Sequence, residues 1–123
     1  MALKKWTSRL GYKSLPATLL VYHESEPVAE LKKEKGKFLF RYLDGFFAHG
    51  LSPLRGLQSR SYDFATFNEL PAFFRERLPD TRRPEIKQWI LRHQIDESDE
   101  LRMLAALGAH SITDPFELKL APA

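Results

Sequence analysis

Hydrophobic and polar positions change their period several times along the chain. Thr18–Glu24 (TLLVYHE) is rich in β-branched and aromatic strand formers. Ser25-Glu26-Pro27 interrupts it, and Val28–Leu31 resumes the apolar run. The segment 32–36, KKEKG, is a turn signal ending in a glycine that tolerates positive φ. Lys37–Tyr42 then alternates, with Phe38, Phe40 and Tyr42 on one face and Leu39 and Arg41 on the other. The pattern predicts a three-stranded antiparallel meander.

Beyond Tyr42 the alternation stops. Gly45, Gly50, Pro53 and Gly56 break the chain repeatedly and predict an irregular stretch. Helical spacing appears at Leu70, Phe73, Phe74 and Leu78. It predicts a helix from about Asn68, with Asn68 as cap, Pro71 in the first turn and Pro79 as stop. A second helix should open at Pro84 and bury Ile86, Trp89, Ile90 and His93. A third should begin at Ser98 among Asp96, Glu97, Asp99 and Glu100, since carboxylates suit a helix N-terminus. It carries Leu101, Leu104, Ala105 and Leu107, and Gly108 is its expected C-terminal cap. Phe116–Ala121 alternates again and predicts a closing strand before Pro122. Strands grouped ahead of helices indicate an α+β domain. The expected fold is a small antiparallel sheet, meander plus C-terminal strand, packed with about three helices.

Length and charge divide the chain unevenly. Its 123 residues make one domain, expected over 18–123, preceded by a basic extension over 1–17. Lys4, Lys5, Arg9 and Lys13 stand in the extension with no acids. The overall charge is +3, so the body is close to neutral and a solvated or partly helical extension carries the basicity. That weakens any argument for nucleic acid from the isoelectric point. There are no cysteines, hence no disulfide framework and no thiolate metal site. No apolar run approaches the roughly 18 residues of a membrane helix. The N-terminus also lacks the apolar core of a secretory signal. A cytoplasmic protein without a membrane contact is expected.

No catalytic constellation is visible. His23, His49, His93 and His110 are scattered without metal-ligand spacing, so no metal and no cofactor are expected. His93 shares a face with Trp89 and Ile90 and should pack half-buried. Neither G-x-G-x-x-G nor G-x-x-x-x-G-K-[ST] occurs, so no phosphate cradle is recognisable. Gly50-Leu-Ser52-Pro53-Leu54 lacks the closing glycine of a nucleophile elbow. Residues 84–108 invite a helix-turn-helix reading, but four carboxylates at the start of the second helix would repel phosphates. Arg75, Arg77, Arg82 and Arg83 form either an anion contact or, with Glu76 and Asp80 interleaved, a solvated face.

What remains is an aromatic loop over 50–67. It holds Leu51, Ser52, Leu54, Arg55, Leu57, Arg60, Tyr62 and Phe64. Exposed aromatic and arginine side chains are typical interface anchors. These eight residues are therefore the candidate partner-binding set. The pattern leaves open whether Tyr62 and Phe64 point into a partner or into their own core.

The order of features resembles the N-terminal subdomain of HipA-type serine/threonine kinase toxins. The residues that carry the likeness are Phe38-Leu-Phe40-Arg-Tyr42, Leu51-Ser52-Pro53-Leu54 and Phe73-Phe74-Arg-Glu-Arg-Leu78-Pro79-Asp80. Ile95–Gly108 adds a matching spacing of Ile, Asp, Leu and Gly, although Asp114-Pro115 replaces the Gly-Ala of the family's last segment. The kinase's catalytic Asp, ATP-binding Lys and phosphorylation loop are not matched by anything in the chain. The resemblance therefore implies a stand-alone, HipS-like version of the subdomain, as in three-component HipBST toxin–antitoxin systems. It implies a non-enzymatic antitoxin that binds a HipT/HipA-like kinase near the kinase cleft through the 50–67 loop. A HipB-like helix-turn-helix protein would complete the complex, making DNA contact at most indirect. The alternatives are a non-inhibitory subunit of such a kinase and a nucleic-acid-associated accessory protein.

Overall fold

A computed structural model describes residues 17–58 and 62–122. The basic extension up to residue 16 and Arg60 lie outside the described residues. The sheet starts with β1 (Thr18–His23), β2 (Glu26–Glu34) and β3 (Lys37–Tyr42). Both connecting turns are two residues long with positive φ at each position: 51° and 70° at Glu24 and Ser25, 51° and 78° at Lys35 and Gly36. Such turns match the right-handed twist of paired strands, which explains why the meander is tight. Pro27 does not end β2, contrary to the break expected there. It sits at a register shift, where Val21 pairs with Ala29 but Tyr22 pairs with Pro27. A bulge is one of the few places a sheet accepts proline. The extra residue is Val28, which is buried along with Ala29.

Helix α1 (Asp44–Ala48) follows β3 directly. Next come β4 (Ala65–Phe67), α2 (Ala72–Arg75), α3 (Pro84–Arg92), α4 (Glu100–Leu107) and β5 (Phe116–Leu120). The five strands form one antiparallel sheet in the order β4-β3-β2-β1-β5. The α+β class and the return of the last strand are as expected. Four helices rather than about three are found among the described residues. The strand β4 and helix α1 arise inside the stretch expected to be irregular. The helix expected from Asn68 shrinks to a single turn, because Pro71 is extended (φ −59°, ψ 154°) and holds the preceding residues out of the helical region. Asn68 accepts from Lys37 Nζ at 2.7 Å instead of capping. The last helix starts two residues later than expected, capped by Asp99, whose side chain accepts from the Arg102 N–H.

The core lies on one face of the sheet. Leu19, Leu31 and Phe40 stand in register across β1, β2 and β3, and all are buried. Phe46, Phe74, Leu101, Leu104 and Leu118 close over them. Each such side chain contributes about 1.5–3 kcal/mol by leaving water. The opposite face carries Glu30, Lys32, Leu39 and Arg41, and Glu30 pairs with Arg41 across the strands. No described helix is long and apolar enough to cross a membrane.

Candidate interaction surface

A buried hydroxyl organises the loop after α1. Tyr42, at the end of β3, is fully buried. Its Oη donates to the Leu57 carbonyl at 2.6 Å and accepts from the Leu54 N–H at 2.9 Å. Leu54 and Leu57 themselves point into the core. Between them the chain turns through Gly56 at φ 79°, a left-handed conformation that glycine adopts without strain. The Phe73 N–H donates to the Arg55 carbonyl at 3.1 Å, which ties the loop to α2. Residues 51–58 are thus a fixed platform.

The candidate partner residues separate on this platform. Leu54 and Leu57 are withdrawn from the surface and serve as its anchors. Leu51 is half-buried against the core. Ser52 and Arg55 are exposed, and Arg55 reaches Glu76 at 3.3 Å in an ion pair too open to water to count for much. Tyr62 is 55% exposed, with its ring 4.6 Å from that of Phe47. Phe64 is half-buried, but it lies outside the core. Lys32 Nζ and the Arg41 guanidinium stand 4.5 Å and 4.4 Å from its ring centroid, so cations of the polar sheet face cover it. Neither aromatic belongs to the buried cluster. Two grooves flank the loop. One, of about 450 Å³, is lined by Leu51–Arg55, Phe73, Glu76, Arg77 and Ser111 to Phe116. The other, of about 440 Å³, runs from Glu26 and Pro27 past Tyr42 to Tyr62.

The four candidate anion-binding arginines do not converge on a free site. Arg77 is 4% exposed and donates to the Gly108 carbonyl at 2.7 Å, the Phe116 carbonyl at 2.9 Å and the Asp114 carboxylate. It is an internal clamp and unavailable to a ligand. Arg75 donates to the Leu70 carbonyl, and Arg83 pairs with Glu85. Arg82 pairs with Asp80; its side-chain hydrogen bond, followed by its backbone N–H, holds the Asp80 carboxyl below the ordinary carboxylate range. The solvated-face reading describes three of the four.

Sequence spacing does not reveal one pairing, that of His23 and His49. Twenty-six residues apart, they meet with their Nδ1 atoms at 2.8 Å. The end of β1 supplies one and the C-cap of α1 the other. His93 is exposed rather than half-buried, stacked on Trp89 with centroids 3.8 Å apart.

No curated protein matches the chain significantly. The sequence pattern of the HipA N-terminal domain family matches residues 19–112. This stretch runs from β1 through the loop to the segment before β5, and it is the small N-terminal domain rather than the kinase catalytic domain. The chain belongs to the HipA N-terminal domain family.

Proposed function

We propose that this domain is an antitoxin of a HipT/HipA-like serine/threonine kinase, acting as a protein-binding inhibitor rather than an enzyme. The observation that carries the reading is Tyr62. It is a large aromatic left mostly in water, on a loop whose base is locked by Tyr42 and two buried leucines. A rigid aromatic on a preorganised base loses little entropy on docking, which is how interface anchors gain affinity. Ser52 and Arg55 are also exposed, on the other groove beside the loop, whereas Leu54 and Leu57 act from beneath. Docked at the kinase cleft, the ring would hinder the lobe closure that aligns ATP, Mg²⁺ and the catalytic groups. A HipB-like helix-turn-helix partner would then supply DNA contact, since Arg75, Arg77, Arg82 and Arg83 each bond within the chain.

The test is co-expression with the kinase, paired with its autophosphorylation rate in vitro. Tyr62→Ala should weaken binding by about tenfold or more and reduce protection of the cells. Full protection by the Tyr62→Ala, Phe64→Ala double variant sinks the proposal. Undiminished autophosphorylation in a stable complex would instead establish a non-inhibitory subunit.

A further inference from the structure

We propose that His23, His49 and Glu24 form a binding site for one borderline divalent metal ion of the zinc class. One ligand atom from each of the three lies within 4.8 Å of the others. The two imidazole Nδ1 atoms are 2.8 Å apart, so one carries a hydrogen and the other offers its lone pair to it. Both nitrogens are therefore aimed at one small volume, which the shared hydrogen now fills.

The outer contacts say which nitrogen is which. His49 Nε2 lies 3.2 Å from the Glu26 carboxylate, an acceptor when ionised. Nε2 thus carries the hydrogen in the neutral ring, and His49 Nδ1 is left as a bare lone pair. A carboxylate on the far nitrogen is the usual partner of a metal-bound histidine, because it fixes the tautomer and raises ligand basicity. His23 is oriented by packing, its ring 5.6 Å from Phe116. To ligate through Nδ1, it moves its hydrogen to Nε2 and remains neutral. Glu24 sits in the tight β1–β2 turn at φ 51°, adjacent to His23, and is exposed. Its carboxylate completes a set of two imidazoles and one oxygen, leaving a fourth position open to water.

The separation fits with little movement. Nitrogens bound to zinc at about 2.0–2.1 Å in a tetrahedron stand roughly 3.3 Å apart. The pair needs to open by about 0.5 Å, within the reach of side-chain rotation at the protein surface. Two imidazoles and a carboxylate without thiolate suit zinc, nickel or copper rather than calcium or magnesium. The ion would link the β1–β2 turn to the residue just before Gly50. It would thus fasten the start of the candidate interaction loop. The site is independent of any kinase partner.

The experiment is a calorimetric titration of the untagged chain with Zn²⁺, with Co²⁺ absorption as the geometric readout. One equivalent should bind, with an intense visible band from tetrahedral Co²⁺. His23→Gln and His49→Gln should each weaken binding at least tenfold. Glu26→Gln, altering only the outer carboxylate, should weaken it by about tenfold. His93→Gln should change nothing. If a histidine variant does not fold, Glu24→Gln at an exposed position carries the test and should also weaken binding. No stoichiometric binding at 100-fold excess over micromolar protein, or binding indifferent to His23→Gln and Glu24→Gln, overturns the site.

Discussion

Tyr42 shows how much one atom can organise. Its ring belongs to the alternating face of β3, stacked on Phe46 with centroids 3.8 Å apart, so any large apolar group would fill the space. Its hydroxyl does something an apolar group cannot, bonding one N–H and one carbonyl of a loop a dozen residues on. Tyr42→Phe keeps the packing and leaves both backbone groups buried without that partner. Unsatisfied buried groups cost about 1–3 kcal/mol each. The urea midpoint should therefore fall by an amount equivalent to about 2 kcal/mol, and amide exchange at Leu54 should accelerate. An unchanged midpoint and unchanged exchange would mean that the leucines alone hold the loop. The alternation of Phe38, Phe40 and Tyr42 was legible in the sequence, but the destination of the hydroxyl was not. A hydrogen bond to a main-chain atom leaves no side-chain signature.

Arg77 acts between elements rather than within one. It leaves the end of α2 and bonds the end of α4, the start of β5 and Asp114 between them. Its guanidinium also lies 5.0 Å from the Phe73 ring. In the sequence it is one of four arginines in a polar run, with nothing to distinguish it from Arg82. The fold makes them opposites. Arg77→Ala strands an acid and two carbonyls, and removing one partner of a buried pair costs about 3 kcal/mol or more. Arg82→Ala should leave the midpoint unmoved, because among the described residues its ion pair is with exposed Asp80. Equal midpoints for the two variants in chemical denaturation would refute the clamp. The close approach at Gly108 belongs to the same junction: a Cβ there would come within 3.0 Å of the Arg77 carbonyl. Gly108 is the C-terminal cap of α4, as its place in the sequence predicts. Its φ of −113° shows that the constraint is space, not conformation.

The molecule closes on itself through its last strand. β5 pairs with β1, the first strand, so the chain's two described ends meet in one sheet. Leu118 enters the core opposite Val21, and the Leu118 N–H also donates to the Ala109 carbonyl. Deleting residues 116–122 exposes the edge of β1 and opens the core beneath Leu104. Circular dichroism should then show loss of the cooperative thermal transition, since a small domain has little stability to spare, about 5–15 kcal/mol. A cooperative transition within a few degrees of the full chain would show that β5 is an accessory edge. The expectation of a closing strand came from strict alternation over Phe116–Ala121. Its neighbour in the sheet could not, because strand order depends on contacts a hundred residues apart.

Local periodicity established much of this protein: a meander, a helix opening at Pro84, a further helix placed within two residues of its start, a terminal strand and an α+β class. Those features rest on neighbouring residues, where side-chain alternation and backbone preference act directly. Three-dimensional packing settled the rest. It drew β4 out of a glycine-broken loop, turned Leu54 and Leu57 inward and left Tyr62 in water. It also brought His23 to His49 and sealed Arg77 among carbonyls. Each of these depends on which distant groups are left unsatisfied or unburied once the sheet has formed, and no short window of residues contains that information.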